Sequence, residues 1–153
     1  MRYRFTPMSD DDARAIAGWR YPAPYDFYDM QRDPEDLLEL LNPDLRAGVY
    51  WSVRNERGEL VGIFTCLVVG SVAEIGLGLH PKLTGRGLGL GFLLAGLAFA
   101  RQKHAPTQFR LQVAAFNKRA IRVYERAGFV RTHSLIQRMN GGEHEFIEMV
   151  RDA

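Results

Sequence analysis

Hydrophobic positions along this 153-residue chain fall into short alternating runs and longer helical runs, punctuated by glycine, proline and asparagine. Arg2–Thr6 alternates and predicts a first strand. Ser9, with Asp12 three residues on, opens a helix expected over Asp10–Trp19, with Ala13, Ile16 and Ala17 inward and Trp19 as a further candidate. Two prolines make the aromatic stretch Tyr21–Tyr28 a loop. Pro34 precedes a helix over Glu35–Leu41, whose inward face is expected to be Leu37, Leu38 and Leu41. Gly48–Asn55 reads as a strand, Glu56-Arg57-Gly58 as a turn, and Leu60–Val69 as a mostly apolar strand. A Gly70-Ser71 hairpin turn leads into a strand over Val72–His80, where Gly76 and Gly78 suggest a bulge or a close ligand approach rather than regular pairing. Leu88–Lys103 is apolar on most sides and so predicts a central helix. Gln108–Ala114 is the next strand, joined to Val72–His80 by a right-handed parallel crossover. Asn117 caps a helix over Lys118–Ala127 that Gly128 stops. Phe129–Met139 and Glu143–Val150 form a terminal hairpin about Asn140-Gly141. The sum is about seven strands and about four helices, with no repeats or linker.

Composition narrows the class. The length suits a single domain, 1–153, able to bury roughly 70% of its unfolded surface. Hydrophobic residues make up 46% and charged residues 25%, as in ordinary globular proteins. A net charge of +2 is compatible with an anionic ligand and too weak to argue for nucleic acid. Cys66, the one cysteine, lies in an apolar run, which points to a buried thiol in a reducing compartment. MRYRFTPMSD lacks the apolar core of a signal peptide, and Leu88–Ala100 is too short to span a bilayer. A cytoplasmic protein without membrane contact is expected.

The chemistry concentrates in Leu79–Leu94. Gly85, Gly87, Gly89 and Gly91 stand between a strand end and a helix start, where outward N–H groups and a helix dipole make a phosphate cradle. A flexible loop without a ligand is the plainer alternative. A dinucleotide fingerprint fails, because Leu90 or Phe92 occupies its third glycine position, and no Gly-Lys-Ser/Thr triplet completes a P-loop. Thr84-Gly85-Arg86-Gly87-Leu88-Gly89 instead resembles the pyrophosphate signature (Q/R)-x-x-G-x-(G/A) of the GNAT acetyltransferase superfamily, with Thr84 where the family usually has Gln or Arg. Asn117-x-x-Ala120-x-x-x-Tyr124-x-x-x-Gly128-Phe129 is similar to that family's second signature. The likeness runs from about Val72 to Phe129 and loosely over the whole chain.

The resemblance implies the GNAT fold: an α/β (α+β) domain with a mixed, mostly antiparallel central sheet of about seven strands flanked by about four helices. It implies acetyl-CoA as cosubstrate, no metal, and direct acetyl transfer to a primary amine of a small molecule or a protein N-terminus. It also admits a homodimer. It places Leu77, Gly78 and Leu79 along the cofactor arm, Thr84, Gly85, Arg86, Gly87, Leu88, Gly89 and Leu90 around the pyrophosphate, and Asn117 on the pantetheine. Tyr124 becomes the general acid for the departing thiolate. Read alone, Asn117 is an N-cap and Tyr124 a core residue. Arg119, Arg122 and Arg126 form a basic stripe, either solvated or, for Arg119 or Arg122, meeting the 3′-phosphate. Some family members carry a Glu base where Gln112 stands, and Gln112 cannot take a proton. Glu74 is the candidate in its place, the other reading being an ion-paired or solvent-facing strand residue. His80 reads as a turn residue. Tyr25 and Tyr28 belong to a loop that either packs or lines the acceptor site. A non-catalytic CoA-binding sensor is the competing function.

Overall fold

Ser9 starts the first helix as its position predicts, its hydroxyl accepting the Asp12 N–H at 3.1 Å. In the computed structural model, which describes residues 1–153, the helices are α1 (Asp10–Ala17), α2 (Pro34–Leu41), α3 (Pro43–Arg46), α4 (Gly89–His104) and α5 (Lys118–Arg126). That is one more than expected. The extra helix, α3, begins where the Asn42 side chain accepts the Asp44 N–H and Pro43 fills the first turn, a start signal overlooked beside the end of α2. Short 3₁₀ turns at Tyr25–Tyr28, Met30–Arg32 and Pro81–Leu83 complete the helical segments.

The strands are β1 (Arg4–Pro7), β2 (Tyr50–Arg54), β3 (Leu60–Val69), β4 (Val72–Leu79), β5 (Gln108–Ala114), β6 (Val130–Met139) and β7 (Gly142–Asp152). They form one sheet in the order β1-β2-β3-β4-β5-β7-β6, antiparallel everywhere except between β4 and β5. Gly76 and Gly78 do not bulge. They pair in register with Thr65 and Ile63 of β3, and an added Cβ at Gly76 would come within 2.7 Å of the Thr65 hydroxyl. The terminal hairpin turns on Asn140 and Gly141, both at positive φ, as its Asn-Gly pair requires.

Two apolar clusters sit on the sheet. The larger, of 19 buried residues, lies under α4 and α5; Phe92, Leu93, Leu97 and Ala100 of α4 are sealed in it, as is the Cys66 thiol. Gly96 lets α4 settle on β3, since a Cβ there would meet the Phe64 ring at 2.7 Å. The smaller cluster, of six, joins Ala13, Ile16 and Ala17 of α1 to Leu40 of α2 and Ile63 of β3. Leu40, with Leu37 packed beside it, is therefore the inward face of α2. Leu38 and Leu41, expected inside, are exposed, because α2 docks on the smaller cluster through Leu40 and Leu37, which share one side of the helix.

Polar ties hold these layers. Arg46, 4% exposed, pairs with Asp10 and donates to the Leu40 carbonyl at 2.7 Å. Arg54 reaches Asp12 with two bonds of 2.8 and 2.9 Å, fastening α1 to β2. These bonds lower the Asp12 carboxyl below its ordinary 3.8. Stability from a lowered carboxyl is complete above the unfolded value and drains away as pH falls from there through the lower folded value. Asp12→Asn should thus lower Tm by about 3–8 °C at pH 7. The gap to the parent should shrink below pH 4, as thermal melts at pH 7 and pH 3 will show.

Candidate active site

The parallel neighbours β4 and β5 pair only from Val72 to Glu74 against Gln108 to Arg110. Beyond that point β5 keeps its antiparallel register with β7 as far as Ala114, while β4 stays with β3 to Leu79. The two strands part, and no strand fills the gap between them. A cavity of about 490 Å³ opens there. Ile75, Gly76, Leu77, Gly78 and Leu79 line it from β4, and Gln112 and Val113 from β5.

At one end of the cavity is the glycine turn. Gly85 and Gly87 hold φ values of +72° and +76°, which an L side chain adopts only with strain. The helix α4 follows with no side chain capping its start, and its first closed turn is the Phe92 N–H to the Leu88 carbonyl. The preceding N–H groups and the positive end of the helix are left for a ligand. Thr84, Gly85, Gly87, Leu88 and Gly89 line the cavity. Arg86 is exposed outside the lining, Leu90 packs on the larger core, and the Thr84 hydroxyl is committed to the Pro81 carbonyl at 2.9 Å.

The third wall is α5 with the aromatic loop. Asn117 accepts the Ala120 N–H at 3.1 Å, which caps the helix, and its amide donates to the Tyr28 hydroxyl at 3.1 Å. Arg119 lies over the Tyr25 ring at 4.0 Å and reaches the side of Gly85. Tyr124 lines the cavity, and its burial, with Tyr28 nearby, raises its hydroxyl far above the ordinary tyrosine value. It keeps its proton at neutral pH. Tyr21 donates to the Leu79 carbonyl at 2.7 Å, its own N–H held by the buried Asp29.

A family model described as an acetyltransferase (GNAT) domain matches residues 2–130. The chain belongs to the GNAT acetyltransferase family. It is similar to the mycothiol acetyltransferase of Acidothermus cellulolyticus, 32% identical over 148 residues, covering 82% of this chain and 43% of that protein. The mycothiol acetyltransferase of Streptomyces coelicolor is 40% identical over 137 residues, covering 84% and 42%. The chain thus spans less than half the length of these curated relatives. Among solved structures, the fold matches spermidine N-acetyltransferase from Vibrio cholerae in complex with CoA and spermine (TM-score 0.78, 19% identity, 98% of this chain and 95% of that one). A GNAT-family acetyltransferase from Bacillus anthracis gives a TM-score of 0.76 at 16% identity, covering 99% and 95%.

Within this GNAT domain, Leu77, Gly78, Leu79, most of the glycine turn, Asn117, Tyr124, Tyr25 and Tyr28 meet around one cavity. Glu74 does not join them. It stands at the last paired position of β4, bound to Arg110 at 3.1 Å, because the parallel register sets those two side by side. Gln112 does line the cavity and accepts from Gln137. His80 is a turn residue whose ring nitrogen accepts the Lys82 N–H. Sequence reading passed over Trp19, Tyr50 and Asp36 as site residues; all three line the cavity, as does Tyr21 of the aromatic loop. The aromatic loop was the available signal for Tyr21. Asp36 gave none beyond its place one turn before Leu40. Because Asn117 serves two partners, Asn117→Ala should cost about 1–2 kcal/mol. Asn117→Ser should recover the cap while leaving Tyr28 without its donor; urea unfolding, with tyrosine quenching to report the loop, separates the two effects.

Proposed function

We propose that this chain is an N-acetyltransferase moving an acetyl group from acetyl-CoA to a primary amine of a small molecule or a peptide N-terminus. The observation that carries this reading is the parted pair β4 and β5 opening beside an uncapped glycine turn, with Tyr124 in the same cavity. The residues present fit the cosubstrate. The β4 edge from Ile75 to Leu79, apart from the Leu79 carbonyl taken by Tyr21, has no strand beside it and can meet the pantetheine amides. No atom lies within 4 Å of where a Cβ on Gly87 would stand, so phosphate can approach. Bound acetyl-CoA supplies an activated thioester.

In this reading, Leu77–Leu79 hold the arm and offer an N–H to the thioester carbonyl as charge builds on its oxygen. The amine nitrogen attacks the carbonyl carbon, the carbon–sulfur bond breaks, and Tyr124 gives its proton to the departing thiolate. Gln112 cannot accept a proton and Glu74 is engaged elsewhere by Arg110, so the ammonium sheds its first proton to water through the open side of the cavity before attack. The second, lost as the amide forms, passes by water to restore the Tyr124 hydroxyl. Arg119, beside Gly85, is the cation placed for phosphate. The free, buried Cys66 supports a reducing, cytoplasmic setting. A homodimer belongs to the same reading, with β6, the longer of the two edge strands, as a pairing edge.

A thiol-release assay with acetyl-CoA over a panel of amines tests the activity. Tyr124→Phe should lose about 10- to 1000-fold in turnover with little change in acetyl-CoA affinity. Binding of acetyl-CoA without turnover of any amine would replace the enzyme by a CoA-binding sensor. For the cradle, Gly87→Asp should weaken CoA at least about tenfold by calorimetry, whereas Gly87→Asn, which tolerates the same backbone without the charge, should bind better than Asp. Equal affinity for parent and Asp variant would remove the turn from the phosphate site.

A further inference from the structure

The cavity carries formal charge at two places only. Arg119 stands against the glycine turn, and at the other end Asp36 is the sole carboxylate in the lining. The end holding Asp36 is built on the smaller core: Ile16 and Ile63 form its base, and Trp19, Tyr21, Met30 and Tyr50 its sides. Asp36 lies one turn before buried Leu40, so the helix rotation that seals Leu40 also brings residue 36 to the cavity. A first helical turn favours an acid at 35 and 36 alike, but only Asp36 is in the lining.

Nothing in the protein neutralises it. The sequence of α2, PEDLLELL, has no basic residue, and none of Asp33, Glu35, Asp36 and Glu39 takes part in an ion pair. Glu39 accepts the Tyr50 hydroxyl at 3.0 Å, and Asp33 caps the helix. Asp36 is open to solvent on one side, yet partial desolvation, with Asp33, Glu39 and Glu35 around it, pushes its carboxyl up to about 6, a strain that a bound cation relieves. The aromatic sides suit the same charge. Tyr25 is not among the free faces, since Arg119 already covers it.

The geometry also sets a length. Tyr50, Thr65 and Gly76 are successive partners across β2, β3 and β4. Two strand spacings, about 10 Å, thus separate the parted edge of β4 from the Tyr50 end. We propose that the acceptor carries a second cationic group besides the nitrogen that is acetylated, as in an alkyl diamine or oligoamine, and that Asp36 anchors this far charge. The proposal rests on the N-acetyltransferase reading above.

Three amines with the same five-carbon chain test it: cadaverine, pentylamine and aminovalerate, whose far ends are cationic, neutral and anionic. The parent should favour cadaverine over pentylamine by at least about tenfold in kcat/KM, mostly through KM, with aminovalerate poorest. In Asp36→Asn the preference should collapse towards one, and in Asp36→Lys aminovalerate should overtake cadaverine. An unchanged preference in Asp36→Asn overturns the anchor. So does an equal loss of kcat for all three amines, which would make Asp36 a proton acceptor instead. Should no amine turn over, calorimetry of cadaverine on the CoA-saturated protein separates the two claims. Binding that Asp36→Asn abolishes keeps the anchor and removes only the enzyme; no binding removes both.

Discussion

Everything in this domain depends on where one line of hydrogen bonds stops: β5 pairs with β4 and β7 together over Gln108–Arg110, then follows β7 alone. The antiparallel register with β7 runs the full length of β5, from Gln108 to Ala114, whereas the parallel register with β4 ends after three pairs. Backbone groups on the free edge of β4 are then left without a strand partner, inside a protein where such groups are expected to be satisfied. The fold answers in part by itself, through the Tyr21 hydroxyl on the Leu79 carbonyl. The remainder of the edge is an invitation to a ligand rich in amides. The glycine turn and the bare start of α4 lie at the mouth of the same gap, so one divergence of strands sets the free edge and the turn around a single cavity.

The aromatic loop is fixed by polar pegs rather than by deep burial. Asp29 holds the Tyr21 N–H, Asn117 holds the Tyr28 hydroxyl, and Asn140 in the β6–β7 turn donates to the Phe27 carbonyl at 3.0 Å. Rings fill the space between: Phe27 meets Tyr28, Phe116, His144 and Phe146 edge-on or tilted. The acceptor end therefore draws its shape from three distant stretches of chain.

That distinction explains what could be read from the sequence. Local signals carried the elements: Ser9 and Asn117 as caps, Asn140-Gly141 as the hairpin turn, and the bounds of β3 and β5 as observed. The glycine turn and the Asn117 and Tyr124 helix were legible because each is a contiguous pattern tied to a backbone geometry. Between the two readings of Glu74 the sequence could not choose, because strand alternation says nothing about where a parallel pair stops or that Arg110 stands opposite. Leu38 and Leu41 were misassigned because a short leucine-rich helix offers two faces of similar hydrophobicity, and only docking on Ile63 and Met8 selects Leu40. Asp36 became visible only with that docking.

The unequal division of the core has an evolutionary consequence. The donor half stands on 19 buried residues under α4 and α5, and the acceptor wall on six under α1 and α2. Changes in separate clusters combine nearly independently in their effect on stability. Substitutions on α2 and the aromatic loop can therefore accumulate while the larger cluster keeps the chain folded and its glycine turn intact. Divergence in acceptor choice, with the donor held constant, is the path of least resistance for this architecture.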